Sequence, residues 1–507
     1  MSPLSVRFTP DDLALFAGAS WDRNPLHSSE GYARATQFGQ PVVFGVLGGL
    51  SCLAAVPLAA GMTVGSVKME FIGPLFVGID YQLDVGAVGD SEIVVALSDG
   101  PRVLIRSTFK LVEGAQAFAP LEPAHAVLRP EAAQRSLADL PVGLQITGTY
   151  QPDAALYEAL VARMNLDRLT VAPSRIATLL WASYVVGMEL PGRQALFSEV
   201  TCEFTPEGEA SSPIDFSATI RSASPRYGLV VAGFETTSAG RAHSRGEIRA
   251  FVRKERQPAA VASVSPGVDR DSLLGKTALV IGGSRGLGAA IATTLAMRGA
   301  TVYASYQRCA AEMERICAVA ASASGVIHPL QGDGSDPEWC GRAVNQIRAA
   351  EGRLDILICN AAPAVLPMPF SAFSIDRLNR YVAASFALVS NPVAASLDAL
   401  SQTQGWAVAV SSAFANFDSP QFARARASYP HYVAAKSAIE GLFHSLAANN
   451  AGVGFVLARP PRLDGELPVP FGEGTALAPV LVADRLISLL VSTERPDRKV
   501  LTIEDFR

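Results

Sequence analysis

The chain has 507 residues, of which 49% are hydrophobic and 18% charged, with a net charge of −5. That balance excludes a disordered chain, and at roughly 100–200 residues per domain it implies two to four folded domains. No Lys/Arg cluster stands out, which argues against a nucleic-acid or anionic-membrane partner. Six cysteines (Cys52, Cys202, Cys309, Cys317, Cys340, Cys359) lie without any C-x-x-C spacing. Reduced thiols in the cytoplasm fit this better than a disulfide framework or a zinc site, so no metal is expected. The N-terminus shows no apolar run after a basic start, and hence no signal peptide.

In chain order, the first block runs from Met1 to about Gly114. It reads as a helix over Thr9–Gly18, an irregular segment over Ser20–Pro41, a long apolar helix from Val43 to about Ala60, and then alternating strands such as Ser66–Phe71 and Arg102–Ser107. Val42 to Gly65 carries no charge and so imitates a membrane span. It also contains five glycines and a proline, and charged strands follow it, so a buried central helix is the simpler reading. A connector rich in Ala, Pro and Glu spans Ala115–Pro141. The second block, 142–254, loosely repeats the order: a helix at Pro152–Met164, an apolar helix at Ser174–Met188, and strands at Ser198–Phe204 and Ile214–Ile220. Two blocks of similar length and order suggest a duplicated unit. After a second connector, Glu255–Asp269, short apolar strands alternate with helices: Thr277–Ile281, Thr301–Ser305, Ile356–Cys359, Ala407–Ser411 and Gly454–Ala458. This alternation predicts a doubly wound parallel sheet over 272–507.

In that last block, the first strand runs into Gly282-Gly283-Ser284-Arg285-Gly286-Leu287-Gly288 and then into a helix. Glycines there let the backbone turn sharply and approach a pyrophosphate seated on the helix N-terminus. The second strand ends at Ser305-Tyr306-Gln307-Arg308, with no acidic residue to hold a ribose 2′-hydroxyl. Arg285 and Arg308 suit a 2′-phosphate instead, which favours NADP(H); the alternative is that both are solvated surface residues. Tyr432 and Lys436 share one helix face. A nearby ammonium is expected to lower the phenol pKa, so that Tyr432 can protonate a carbonyl oxygen as hydride arrives, with Ser412 bonding the same oxygen.

Together these residues resemble the short-chain dehydrogenase/reductase family, and most of all its 3-oxoacyl-thioester reductases. The positions that match its ordered motifs are Gly282, Gly286, Gly288, Asp333, Asn360-Ala361, Ser412, Tyr432 and Lys436. The resemblance implies that Asp333 contacts adenine and that Lys436 holds the nicotinamide ribose. The chain departs from the pattern at Ile281, where Thr is usual, and at Cys359-Asn360-Ala361-Ala362 for N-N-A-G. No helix Asn is evident near Tyr381–Ser385, which bears on the proton relay behind Lys436. The Ser412-to-Tyr432 gap is long, and the insertion Phe417–Pro430 is expected to line the substrate mouth.

Upstream, Asp22, Asn24-Pro25 and His27 lie close together. A carboxylate and an imidazole can position one water and move two protons. The apolar helix begins near Gly45, whose amide could receive an enolate oxygen. From chemistry alone, an Asx turn before a helix with His27 at the surface fits equally well. The segment resembles the MaoC-type, (R)-specific enoyl-thioester hydratases of the hot-dog fold, in D-x-N-P-x-H, Tyr32-Ala33, Gly45 and Phe71–Gly78. The resemblance gives Asp22 and His27 the water chemistry and the Gly45 amide the oxyanion. The family's usual His before that glycine is Phe44, away from the inferred chemistry. The second block has only Asn165-Leu166-Asp167-Arg168 at the corresponding place. It is expected to be a non-catalytic hot-dog that shapes an acyl tunnel, its helix packed beside the first.

The combined expectation is a double hot-dog followed by a Rossmann-type sheet. Such a chain reduces a 3-oxoacyl thioester, carried on coenzyme A or an acyl carrier protein, with NADPH and then dehydrates the product. The alternatives are an active reductase with a hot-dog thioester-binding scaffold, hydration followed by oxidation, or a non-enzymatic NADP(H) sensor. A homo-oligomer is expected by analogy.

Overall fold

A computed structural model describes residues 4–34, 36, 38–87, 91–114, 128–205, 213–253, 271–308, 310–368, 370–372, 374–418, 426–463 and 477–506. Cys309, the whole 255–269 connector, 115–127 of the first connector and 419–425 of the Phe417–Pro430 insertion lie outside them. The chain divides into two compact units, Met1–Arg256 and Gln257–Arg507.

The N-terminal unit contains β1 (Leu4–Arg7), α1 (Pro10–Ser20), α2 (Pro25–Ser28), α3 (Glu30–Arg34) and α4 (Gly45–Ala54), followed by β2 (Met62–Phe71), β3 (Asp80–Ala87), β4 (Glu92–Asp99) and β5 (Arg102–Glu113). The pattern then recurs with β6 (Gln145–Tyr150), α5 (Ala154–Arg163), α6 (Pro173–Tyr184), β7 (Ala195–Phe204), β8 (Ile214–Ser224), β9 (Leu229–Ser238) and β10 (Arg241–Val252). All ten strands form one sheet in the order β1-β3-β4-β5-β2-β7-β10-β9-β8-β6. Counted from β6, the second half has the same strand order as the first, read from the opposite edge. The two halves join antiparallel at β2 and β7, with Met69 opposite Val200. This shared topology supports the duplication more strongly than the sequence does, and each half is a hot-dog-like sheet with its own central helix.

Thr9 starts α1 through a capping box with Asp12, and Pro10 at the first helical position has no N–H to leave unpaired. Helix α4 is apolar all round because it is enclosed: Val46, Leu47 and Leu50 are fully buried. Burial of each such side chain contributes about 1.5–3 kcal/mol. The helix ends at Ala54, short of the expected Ala60. Pro57 follows closely, and proline cannot donate into a continuing helix. At 10 residues it spans only about 15 Å, half a bilayer core. The segment read as irregular, Ser20–Pro41, contains the two short helices α2 and α3.

The C-terminal unit alternates as expected: β11 (Thr277–Ile281), α7 (Gly286–Met297), β12 (Thr301–Tyr306), α8 (Ala310–Ala320), β13 (Val326–Gln331), α9 (Pro337–Glu351), β14 (Ile356–Cys359), α10 (Ile375–Thr403), β15 (Trp406–Val410), α11 (Pro430–Asn449), β16 (Gly454–Ala458), α12 (Pro479–Ser492) and β17 (Val500–Ile503). The strands are parallel, in the order β13-β12-β11-β14-β15-β16-β17. The two strands not read from sequence, β13 and β17, are the edges. They are less apolar, and β13 holds Pro329, which the edge of a sheet tolerates. Strand order reverses beside β11, so the crevice at the carboxyl ends of β11 and β14 is the switch point at which such sheets bind ligands.

Helix α10 is long and apolar enough to cross a membrane by length and composition alone. It carries Asp376, Arg377, Arg380 and Asp398, and buries Val389, Val393 and Leu400. It therefore reads as an amphipathic helix covering one face of the sheet.

Candidate functional site

In the N-terminal unit, α1 ends at Trp21 with a left-handed residue, and the chain turns through Asp22 and Asn24. Asp22 Oδ1 accepts the Asn24 N–H at 3.1 Å, and Asn24 Oδ1 caps α2 by accepting the Leu26 N–H at 3.0 Å. The Asx turn is thus present, and it serves the site, because it aims Asp22 inward. The second half holds this turn in place. Asn24 Nδ2 donates to the Gly187 and Gly192 carbonyl oxygens, at 3.0 Å each, and the Ser183 hydroxyl donates to Asp22 Oδ2 at 2.7 Å.

Asp22 is 2% exposed. Burial pushes its carboxyl up to about 7, against the opposing hydrogen bonds from Ser183 and the Asn24 N–H. His27 shifts the other way: burial holds its imidazole neutral, down to about 4, despite the bond to Val42. Its Nδ1 lies 2.8 Å from the Val42 carbonyl oxygen. A carbonyl only accepts, so Nδ1 carries the hydrogen and Nε2 presents a lone pair. Phe44 stacks on the His27 ring with centroids 3.8 Å apart. The expectation that Phe44 lies away from the chemistry is therefore corrected: it is the wall against which His27 rests.

Asp22, His27 and Gly45 line one cavity of about 260 Å³, together with Phe71, Ser183 and Phe197. Gly45 opens α4, whose N-terminus has no side-chain cap. Ser183 and Gly187 were missed because a single Ser and a single Gly in an apolar helix carry no sequence signal. What points to them is structural: α6 continues into a π-helical turn, Val185–Glu189, a feature that often marks functional sites.

In the C-terminal unit, Gly282 turns the chain at a φ of 80° and Gly286 opens α7 with a φ of 54°. A Cβ on Gly288 would strike the Gly282 carbonyl oxygen and sit 2.5 Å from Asn360 Nδ2. That loop is a cradle only glycine permits, at an uncapped helix N-terminus, and it fits a dinucleotide pyrophosphate. Asn360 Nδ2 braces it by donating to the Gly282 carbonyl at 3.1 Å. Ser284 is buried in the turn, and the Leu287 side chain packs into the core, leaving its backbone at the loop. Arg285 and Arg308 are both exposed. Asp333 accepts from Ser335 and from Gln307 Nε2 at 3.0 Å, which ties the ends of β12 and β13 together.

Ser412 and Tyr432 lie side by side, and Lys436 Nζ sits 5.6 Å from the Tyr432 ring centroid. The ammonium donates to the Val410 carbonyl at 2.7 Å. The expected lowering of the Tyr432 pKa is not found: burial raises it, opposed only by Ser412. The reason is placement, since Lys436 is aimed at the end of β15 and is itself pushed down to about 8 by burial. Glu440, one turn further along α11, opposes that shift. It accepts from Ser411 at 2.5 Å and from Arg459 at 2.6 Å and 2.9 Å. The i,i+4 spacing of Lys436 and Glu440, which puts them on one helix face, is a signal the sequence carries for this pair. In place of a helix Asn, Tyr381 packs edge-on against His431, and its buried hydroxyl lies against that of Ser385, one helical turn further along α10.

Residues 276–459 match the short chain dehydrogenase family model, and residues 2–98 match that of the MaoC like domain. A short chain dehydrogenase of Pseudocercospora fijiensis is 30% identical over 41% of this chain and 66% of its own length. The L-rhamnose 1-dehydrogenase (NADP(+)) of Thermoplasma acidophilum is 29% identical over 34% of this chain and 66% of its own. The chain spans between 29% and 66% of the length of the first three curated relatives. Among solved structures, a short chain dehydrogenase from Burkholderia cenocepacia in complex with NADP is 26% identical, covering 46% of this chain and 98% of that one at a TM-score of 0.40. The chain therefore carries an N-terminal MaoC-like domain and a C-terminal short-chain dehydrogenase domain on a Rossmann-like fold.

Proposed function

We propose that the chain is a bifunctional enzyme that reduces a 3-oxoacyl thioester to a 3-hydroxyacyl thioester with NADPH and dehydrates it to a trans-2-enoyl thioester. The observation that carries this reading is the Asp22/His27 pair, set in one cavity with opposite shifts, on the same chain as a Ser412/Tyr432/Lys436 set. Because the product of the second set is the substrate of the first, their fusion has a chemical reason.

In the reductase half, the glycine loop, Asn360 and Lys436 would hold the dinucleotide, which supplies hydride when bound. Ser412 bonds the substrate carbonyl oxygen, and Tyr432 gives that oxygen its proton. NADP(H) is favoured over NAD(H) by the absence of an acidic residue after β12, by the two exposed guanidinium groups of Arg285 and Arg308 near the glycine loop and the end of β12, and by the cofactor in the name of the Thermoplasma relative.

In the dehydratase half, His27 Nε2 takes the C2 proton while the Gly45 amide receives the charge gathering on the thioester oxygen. The C3–O bond breaks as the protonated Asp22 carboxyl gives its proton to the leaving hydroxyl, and water departs. The proton on His27 then returns to Asp22. Hydration uses the same pair carrying the same single proton, so the residues serve both directions.

The test is purified full-length protein with NADPH and a panel of 3-oxoacyl thioesters, followed by absorbance and mass spectrometry of products. Enoyl thioester should appear as NADPH is consumed. His27→Ala should stop at the hydroxy product, and Tyr432→Phe should block the first step. NADPH consumption without enoyl product in the unmodified protein would remove the dehydratase half.

A further inference from the structure

Beside the Asp22/His27 cavity, two guanidinium groups share one aromatic ring. Arg193 lies over Tyr32 with its Cζ 4.8 Å from the ring centroid, and Arg253 lies 5.6 Å from the same centroid. The Tyr32 hydroxyl donates to the Arg193 carbonyl oxygen at 2.8 Å. Arg253 is fixed by three bonds: Nη2 to the Tyr32 oxygen at 3.1 Å and to the Arg193 carbonyl at 2.9 Å, and Nε to the Ala195 carbonyl at 3.3 Å. Arg193 is held differently, by stacking alone. Its guanidinium donates no hydrogen bond among the described residues, and its Nε is buried without a partner.

No carboxylate among the described residues pairs with either arginine. Both groups lie within 5.6 Å of one ring centroid and carry like charge, and a buried guanidinium N–H with no acceptor is costly. Such a pair is stable where an anion completes it. A planar fork with unused donors, braced on an aromatic face, suits a phosphate.

The position fits a substrate-borne anion. Val252 pairs with Ala195 at the ends of β10 and β7, so both arginines emerge there. Ala195 and Phe251 line the cavity, and the Arg253 charge is felt at His27. Both arginines and Tyr32 are partly exposed, so the cluster stands at the rim.

We propose that Arg193 and Arg253 form an anion subsite at the rim of the dehydratase cavity that takes the phosphate of a phosphopantetheine-borne substrate. This rests on reading that cavity as a thioester site. Coenzyme A and an acyl carrier protein present the same phosphopantetheine chemistry, so the subsite serves either source.

The test is calorimetric binding to the full-length protein, which needs no turnover. 4′-Phosphopantetheine should bind about tenfold tighter than pantetheine, the worth of about one charge-assisted bond. Arg193→Gln should erase that preference, and Arg193→Lys should restore part of it. Equal affinity for the two ligands in the unmodified protein, or a preference untouched in Arg193→Gln, would overturn the proposal. Coenzyme A and a phosphopantetheinylated carrier protein are then compared. Weakening of one by Arg193→Gln supports the subsite and names the source; weakening of neither overturns it. A preserved phosphate preference with no dehydration would instead fail the thioester chemistry and leave the anion subsite standing.

Discussion

Replacing Gly187 with alanine drives a methyl group into the Asp22 carboxyl. A Cβ built there lies 2.6 Å from both Asp22 Cγ and Oδ2, and closer still to Oδ1, where 3.4–4 Å is ordinary contact. Asp22 would have to retreat by roughly 1 Å, and Ser183, on the preceding turn of the same helix, would lose its 2.7 Å bond. Displacing a reacting group by that much costs on the order of 10²-fold in rate. Overpacking a buried site costs about 1–3 kcal/mol in stability. Dehydration of a 3-hydroxyacyl thioester should therefore fall about a hundredfold in Gly187→Ala. NADPH-dependent reduction, measured on the same preparation, should stay at the unmodified rate, because Ser412, Tyr432 and Lys436 belong to the other compact unit. A Gly187→Ala protein that dehydrates at the unmodified rate would refute the reasoning, since Asp22 could not then need its present position.

Two further outcomes follow from the charge state of Asp22. Ser183 opposes the upward shift of this carboxyl, so Ser183→Ala should raise its pKa further above about 7. The alkaline limb of the dehydration pH–rate profile should move up by about 1–2 units, the equivalent of one charge-assisted bond. An unmoved limb with a uniformly lower rate would assign that limb to another group. Stability has a definite sign as well. The folded pKa of about 7 exceeds the ordinary 3.8, so the native state binds the proton more tightly than the unfolded chain. This contribution, about 4 kcal/mol, is fully present below the unfolded value and is lost as pH rises through about 7. Asp22→Asn does not titrate, so its N-terminal unit should gain thermal stability relative to the unmodified protein between pH 5 and pH 8. Parallel pH dependence of the two melting curves would contradict the burial argument.

The parallel sheet was legible because buried strands such as Thr277–Ile281 are continuous apolar runs bounded by glycine and helix signals. The edge strands β13 and β17 lack that run and were missed. Asp22, His27 and Tyr432 could be read because each sits in a short motif whose spacing carries the chemistry. Ser183 and Gly187 could not be read, because they reach Asp22 only after the sheet brings α6 against the first half, more than 160 positions away in the chain. The Phe44 reading failed for a related reason: its neighbour in space, His27, depends on how α2 docks against α4. The Tyr432 shift was misjudged in sign because spacing puts Lys436 on the same helix face but does not say that its ammonium turns toward Val410.

The mirrored strand order also bears on assembly and divergence. If each half were a separate chain, two identical halves would have to meet, and any change in one site would appear in both. Joined through β2 and β7 on one chain, the surface that braces Asp22 is always present at high effective concentration, so dilution leaves the site assembled. The halves are also free to differ. The Asn165–Arg168 segment need not keep an acid–base pair, and α6 can specialise in holding the carboxyl that the other half supplies.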